Sequence, residues 1–399
     1  MNKKFIFINK SNSEHLVLRK FENFLLKSDP NIKTIPVLDK NKKIIDLMNF
    51  KDFQKKKLST SPNNQPKIKF VKVRIPARLS FSGGGTDFSN LINENKIFIA
   101  SSAINKYIDV EIKILNTKSQ FLFTKNKKIN LRKKQNFKKY RLIYKILEFY
   151  NIKFGFNLII ETEFSRGSGL GGSSALTVAI VSAIDKILFE RVNLKHIINK
   201  SYRIERIDSK IKGGWQDFFT STYGGFCWII MNKKDIKVKK INLSKRIKKI
   251  IHKNLIFFKF GKSRDSSKIQ SKLEDKIKTS RTTFKEIIIK MNKITYDIKY
   301  ALKTGNVKKL GNLQNKNWLL KKKMNKDVSN HHINNLYSKV LEMGANGGKI
   351  LGAGNSGYFM INCDEKYQKN IIRYLMKFGY IEERINFTSK GISISTKKI

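Results

Sequence analysis

At 399 residues and 40% hydrophobic content the chain is long enough for about two or three domains and too apolar to be disordered. Its 83 Lys and Arg against 30 Asp and Glu give a formal charge of +53, which ordinarily points to nucleic acid or an acidic membrane surface. The lysines are scattered through every segment among abundant Ile and Asn, so a compositional origin is favoured over a nucleic-acid function, leaving non-specific polyanion binding at low salt. Two distant cysteines, Cys227 and Cys363, and five histidines in no ligand spacing argue against a disulfide framework and a zinc site.

In chain order, Met1–Ile8 is basic then apolar, but the apolar run stops at Asn9, too short for a secretory signal. No uninterrupted apolar stretch approaches the roughly 20 residues that span a bilayer, and a soluble, cytoplasmic protein is expected. Phe5–Ile8 reads as a strand and Glu14–Leu26 as a helix. Thr34–Leu38 and Lys43–Met48 read as strands around a polar turn, with a short helix near Phe50–Phe53. Ser59–Pro66 has linker composition.

A new domain begins with the strand Phe70–Arg74 and runs through Pro76 and Arg78 into Ser82-Gly-Gly-Gly-Thr-Asp87. Strands follow at Ile97–Ser101, Tyr107–Leu115 and near Phe121 and Ile129, then a helix over Tyr140–Tyr150. The strand Phe156–Ile160 leads to Gly167-Ser-Gly-Leu-Gly-Gly-Ser-Ser-Ala175 and an apolar helix to about Phe189. Glycines let a ligand lie against bare backbone, and the helix N-terminus offers unpaired amides and about half a positive charge. This pattern predicts a phosphate cradle. It lacks the Lys-Ser/Thr of a P-loop and the spacing of a dinucleotide fingerprint; taken alone, a tight strand-to-helix turn accounts for it as well.

Leu194–Ile207 reads as a helix carrying Glu205. Next comes Gly213-Gly-Trp-Gln-Asp217, where Asp217 by itself reads as a helix cap, and then the strand Cys227–Met231. Leu255–Phe260 is a strand, and Thr282–Leu302, Asn312–Lys321 and Ile333–Met343 are helical. A third glycine-rich run, Gly344 to Gly357, precedes the strand Tyr358–Ile361, a helix from Gln368 and a last strand near Gly391–Ser395.

Pro76-x-Arg78, the cradle at 167–175 and the late glycine loop, in this order, resemble the GHMP small-molecule kinases. Ser82–Asp87, Gly214–Asp217 with Tyr223–Gly225, and Gly348–Gly354 resemble the D-glycero-D-manno-heptose 7-phosphate kinase group. Gly172 and Asn355-Ser356 depart from that pattern, and Phe164–Arg166 lacks a proline often found before the cradle. The N-terminal strand pair resembles one CBS repeat.

The resemblance implies an α+β, two-domain kinase fold, with an N-terminal half like ribosomal protein S5 domain 2 and a ferredoxin-like C-terminal half. Domains are expected at 1–66, 67–235 and 236–399. It further implies ATP phosphates at Gly167, Ser168, Gly169, Leu170, Gly171, Gly172, Ser173, Ser174 and Ala175. Mg²⁺ would sit on Ser173 (Ser174 as second choice) and Glu205. Asp217 would be the catalytic base with Arg78 beside it; Gly84, Gly85, Thr86, Asp87, Arg264, Gly352 and Gly354 would face the sugar phosphate. The implied reaction is phosphorylation of an anomeric hydroxyl, for heptose 7-phosphate first and for another sugar such as fucose second. A third reading is an inactive kinase body reused for nucleic-acid binding or regulation.

Overall fold

The computed structural model describes residues 34–38, 44–49, 66–125, 127–261, 266–279 and 281–398. The strands expected in the N-terminal segment are present as an antiparallel hairpin, β1 (Thr34–Leu38) with β2 (Ile44–Asn49). The expected strand at 5–8, the helices at 14–26 and 50–53, and Arg264 lie outside the described residues.

The larger sheet is built on two long antiparallel strands, β3 (Ile68–Ser82) and β4 (Ile97–Leu115). Two separate strands were expected where β4 runs, because Asn105-Lys106 interrupts its apolar alternation. The chain instead stays extended and changes neighbours. Its first part pairs with β8 (Phe226–Met231) and its last with β7 (Gly155–Thr162), while Asn105 bonds to the Asn386 carbonyl between them. Opposite this bend the β3 register slips between Pro76 and Ala77, a place where a residue without an N–H is tolerated. Beyond β7 come β5 (Gln120–Thr124), parallel to it, and β6 (Lys127–Asn130).

Two further strands join this sheet from later in the chain: β9 (Ile236–Lys240) pairs with β8, and β14 (Ser393–Lys398) pairs with β3. A division at 235/236 therefore passes through the β8–β9 hairpin. The smaller sheet has four antiparallel strands in the order β11 (Ala345–Ile350), β12 (Gly357–Cys363), β10 (Leu255–Phe260), β13 (Ile381–Glu382). Ile256, Phe258, Trp318, Leu336 and Phe359 form part of its own core.

After α1 (Ser89–Glu94) and α2 (Arg141–Phe149), three helices set the site. α3 (Gly172–Phe189) is apolar all round and lies in the core of the larger sheet, with Val178, Ala179, Val181 and Ala183 fully buried. It is long and apolar enough to cross a membrane, and a core helix passes the same test. α4 (Leu194–Tyr202), expected to continue regularly to Ile207, passes at Arg203–Asp208 into a π turn carrying Glu205. The wider π turn displaces the side chains after Tyr202 from α-helical spacing, a distortion that recurs at functional sites. α5 (Gln216–Tyr223) carries Asp217 in its first turn.

Candidate active site

The glycine-rich loop closes over Arg78. That side chain is only 6% exposed; its Nε donates to Asp217 Oδ1 at 2.6 Å and its Nη1 to the Gly169 carbonyl at 2.6 Å. The Arg78 backbone N–H donates to the Leu170 carbonyl at 3.0 Å. A Cβ on Gly171 would stand 3.1 Å from the guanidinium stem, so glycine there lets the loop lie on the arginine. Arg78, Gly169, Leu170, Gly171 and Asp217 thus form one cluster, drawn from β3, the loop and α5.

The first bond inside α3 runs from Ala175 N–H to the Gly171 carbonyl. The amides of Gly172, Ser173 and Ser174 therefore sit at the open N-terminal end, with no acidic residue in the first turn. An anion is the natural ligand of such an end. Gly172 stands against the ring of Phe164: a Cβ there would be 2.8 Å from its Cε2. The two departures at Phe164 and Gly172 are therefore one packing arrangement, with a ring filling the space of a side chain.

Of the two adjacent serines, Ser173 is exposed and Ser174 is buried. It is the second choice, Ser174, whose hydroxyl lies beside Glu205, 3.4 Å from Oε1. Glu205 is wholly buried; its other oxygen accepts from Thr177 Oγ1 at 2.9 Å, and Arg206 Nη1 donates to Oε1 at 2.9 Å. Arg206 Nη2 also donates to Ser174 Oγ at 2.9 Å. Among the described residues no group of three or more His, Cys, Asp or Glu is placed to hold a metal. One carboxylate and a hydroxyl next to a phosphate cradle nevertheless match Mg²⁺, which takes few protein oxygens and completes its shell with phosphate and water.

Asp87 also anchors the start of α5. Its carboxylate accepts the Gln216 N–H at 2.8 Å and the Gly85 N–H at 3.3 Å, and its carbonyl accepts the Trp215 N–H at 3.2 Å. Asp87 thereby caps α5, the helix that presents Asp217, from 129 positions earlier in the chain. Burial pushes its carboxyl pKa upward. Thr86 Oγ1 donates to the Gly83 carbonyl at 2.8 Å, Gly84 sits 3.2 Å from Ser80 Oγ as judged at its Cβ position, and Gly85 borders open space. Gln216 Nε2 is buried beside this loop with no hydrogen-bond partner among the described residues.

The late loop packs on the first. A Cβ on Gly169 would be 2.5 Å from the Leu351 carbonyl, and one on Gly352 would fall inside 3.0 Å of Gly169. Gly354 likewise abuts Val328, and Gly357 abuts Ser168. Asn355, where a glycine is usual, takes a left-handed φ of 62°, which Asn tolerates better than most residues. Under this junction lie two cations that sequence reading missed. Lys321 is 6% exposed and donates to the Gly352 carbonyl; Lys349 is 1% exposed and has Asn317 Oδ1 at 3.4 Å. Burial, then Arg78, lowers the Lys321 pKa to about 8 against the pull of Asp87. Burial, Lys321 and Arg78 hold Lys349 well below the usual lysine range.

Residues 139–225, which contain the cradle, Glu205 and Asp217, match the family described as the GHMP kinases N terminal domain. The chain is 27% identical over 339 residues to a D-glycero-alpha-D-manno-heptose 7-phosphate kinase of Campylobacter jejuni, covering 82% of this chain and 98% of that protein. It superposes on a D-glycero-D-manno-heptose 1-phosphate kinase from Bacteroides thetaiotaomicron with a TM-score of 0.65 at 20% identity, over 82% and 98% of the two chains. A putative sugar kinase from Campylobacter jejuni gives 0.62 at 22% identity, over 83% and 99%. Residues 139–225 thus match a GHMP kinase N-terminal domain, and the protein is a phosphotransferase with an alcohol group as acceptor.

Proposed function

We propose that this chain is an ATP-dependent sugar-phosphate kinase that phosphorylates the anomeric hydroxyl of a heptose 7-phosphate. The observation that carries the reading is the Arg78–Asp217 pair at the mouth of the cradle. It puts a proton acceptor and a fixed positive charge beside the place where a nucleotide's terminal phosphate would end. The heptose assignment rests on a relative, the heptose 7-phosphate kinase of Campylobacter jejuni, that matches over 98% of its length.

Phosphoryl transfer needs positioning and charge neutralisation above all. In this reading the ATP phosphates lie on the amides of residues 167–175. Asp217 accepts the proton of the attacking hydroxyl as its oxygen bonds to the γ-phosphorus and ADP leaves. Arg78 offsets the charge that develops there. Ser174 and Glu205 would hold Mg²⁺, which when bound would neutralise phosphate charge; Arg206 and Thr177 fix the carboxylate. Gly84, Gly85 and Thr86 form the acceptor side with Gln216, whose unpaired Nε2 is a donor for a sugar hydroxyl. Gly352 and Gly354 contribute the facing backbone, and Arg264 is kept as a candidate for the substrate's own phosphate.

The test is ADP release with Mg²⁺ over a set of acceptors: heptose 7-phosphate, mannose phosphates, fucose and galactose. Turnover on heptose 7-phosphate at least ten times that on the others is expected. Preference for an unphosphorylated sugar would move the assignment to another sugar-1-kinase.

A further inference from the structure

Lys321 occupies an expensive position. It projects from the helix Val307–Met324 into the junction of the two glycine loops, where it is 6% exposed and, among the described residues, has no carboxylate bonded to it. Among the described residues its one hydrogen bond is to a neutral carbonyl, that of Gly352. A methionine of similar length would be less costly to bury than an ammonium. Yet the bond falls at a mechanically sensitive point. Gly352 is the residue against which Gly169 packs backbone to backbone, and the Gly169 carbonyl is what Arg78 grips from the other side. Two cations therefore hold two abutting glycines, Arg78 through Gly169 and Lys321 through Gly352, and the same Arg78 holds Asp217.

We propose that Lys321 is a positioning residue for phosphoryl transfer: it latches the late glycine loop on to the cradle and so keeps the cradle in register with Arg78 and Asp217. The proposal rests on the reading of residues 167–175 as the nucleotide site. Reacting groups displaced by about 1 Å can lose about 10²-fold in rate, so a latch of this kind has a kinetic signature without touching substrate.

The groups facing Lys321 are Arg78 from β3, Asp87 from the loop after it and Lys349 from β11, with Lys322 next to it on its own helix. Since the ammonium's pKa is about 8, its charge is lost as pH rises through that value, and the latch weakens in the same range.

The experiment compares full-length wild type with Lys321→Met and Lys321→Gln in three measurements. These are Tm, the affinity for a non-hydrolysable ATP analogue with Mg²⁺, and kcat against pH. Expected for Lys321→Met is a Tm equal to or above wild type, about tenfold weaker analogue binding and a kcat lowered about 10- to 100-fold. Lys321→Gln, which keeps a donor, should retain more of both. The wild-type decline in kcat near pH 8 should be absent from Lys321→Met. A Tm that falls along with activity in both variants, failure of either to fold, or analogue binding and kcat within twofold of wild type would each overturn the latch. If wild type turns over none of the sugars, the acceptor assignment fails, while the analogue affinities still decide the role of Lys321.

Discussion

In the proposed mechanism Asp217 is the residue on which the chemistry turns. If it takes the hydroxyl proton, Asp217→Asn should leave the fold and ATP affinity in place and lower kcat by about 10²–10⁴-fold. A near-normal kcat, measured by ADP release, would leave Asp217 as no more than a partner for Arg78. Asp217, Arg78 and the cradle stood out in the sequence because each sits in a short ordered motif, whereas Glu205 was singled out only through the family resemblance. Capping of α5 belongs to Asp87, and a contact across 129 positions leaves no trace in local spacing. Lys321 and Lys349 were invisible for another reason: in a chain with 83 basic residues a functional lysine looks like its neighbours. Burial distinguishes them, and burial is a property of the fold. Keeping Lys321 protonated at pH 7 in that site costs on the order of 3 kcal/mol. Its folded pKa lies below the unfolded one, so the unfolded chain binds the extra proton between about pH 8 and 10.5, and stability from this group rises across that window. Urea denaturation should show the stability advantage of Lys321→Met over wild type at pH 7 shrinking by pH 10.

At the level of elements, the two glycine loops work as a pair. Gly169→Ala or Gly352→Ala would drive a Cβ into the opposing backbone, where no flexible side chain can move aside. Either change should cost more than a typical surface substitution, about 2 kcal/mol or more, and should lower kcat with it. Gly85→Ala meets nothing closer than 3.9 Å but needs a φ of 95°, so its cost should be purely that of the backbone and smaller. Thermal melts of the three variants side by side would check this ordering. Most helices and strands were readable from periodicity, including Arg281–Thr304, the hairpin at 34–49 and the helix of the cradle. The helix Lys245–Lys253 and the strand Ala345–Ile350 were not. In the first, lysines mask a few isoleucines; in the second, two glycines and an asparagine conceal an extended segment held by its partner strand. The π turn at Arg203–Asp208 was also hidden, because tertiary contacts around Glu205 stabilise it against the regular helix its residues would otherwise form.

Over the whole molecule, charge and connectivity dominate. The helices Arg281–Thr304 and Val307–Met324 border an open groove of about 870 Å³ whose lining includes Lys290, Lys293, Lys316, Lys322, Lys323 and Lys326. DNA or another polyanion should bind there weakly, without sequence preference, and let go between low and physiological salt. Sugar-kinase turnover should depend on salt far less, because its ion contacts are local and partly desolvated. Anisotropy and ADP release in one salt titration would read both; selective, tight DNA binding persisting at about 150 mM salt with no turnover would instead favour a nucleic-acid function. A chain starting near Lys67 should fold and keep activity, since β3 begins at Ile68 and, among the residues whose burial is described, both cores lie from there on; loss of soluble protein would place residues 1–66 in the catalytic body. The pairing of β14 with β3 has a consequence for synthesis. Ser395 lies opposite Lys72, 323 positions apart, so on the ribosome β3 waits with one edge bare until the chain as far as β14 has been made. An uncovered strand edge is a template for wrong partners. The nascent protein therefore passes through a long interval in which its central sheet is half fenced, and shielding by a chaperone should matter more to its yield than the stability of the finished fold.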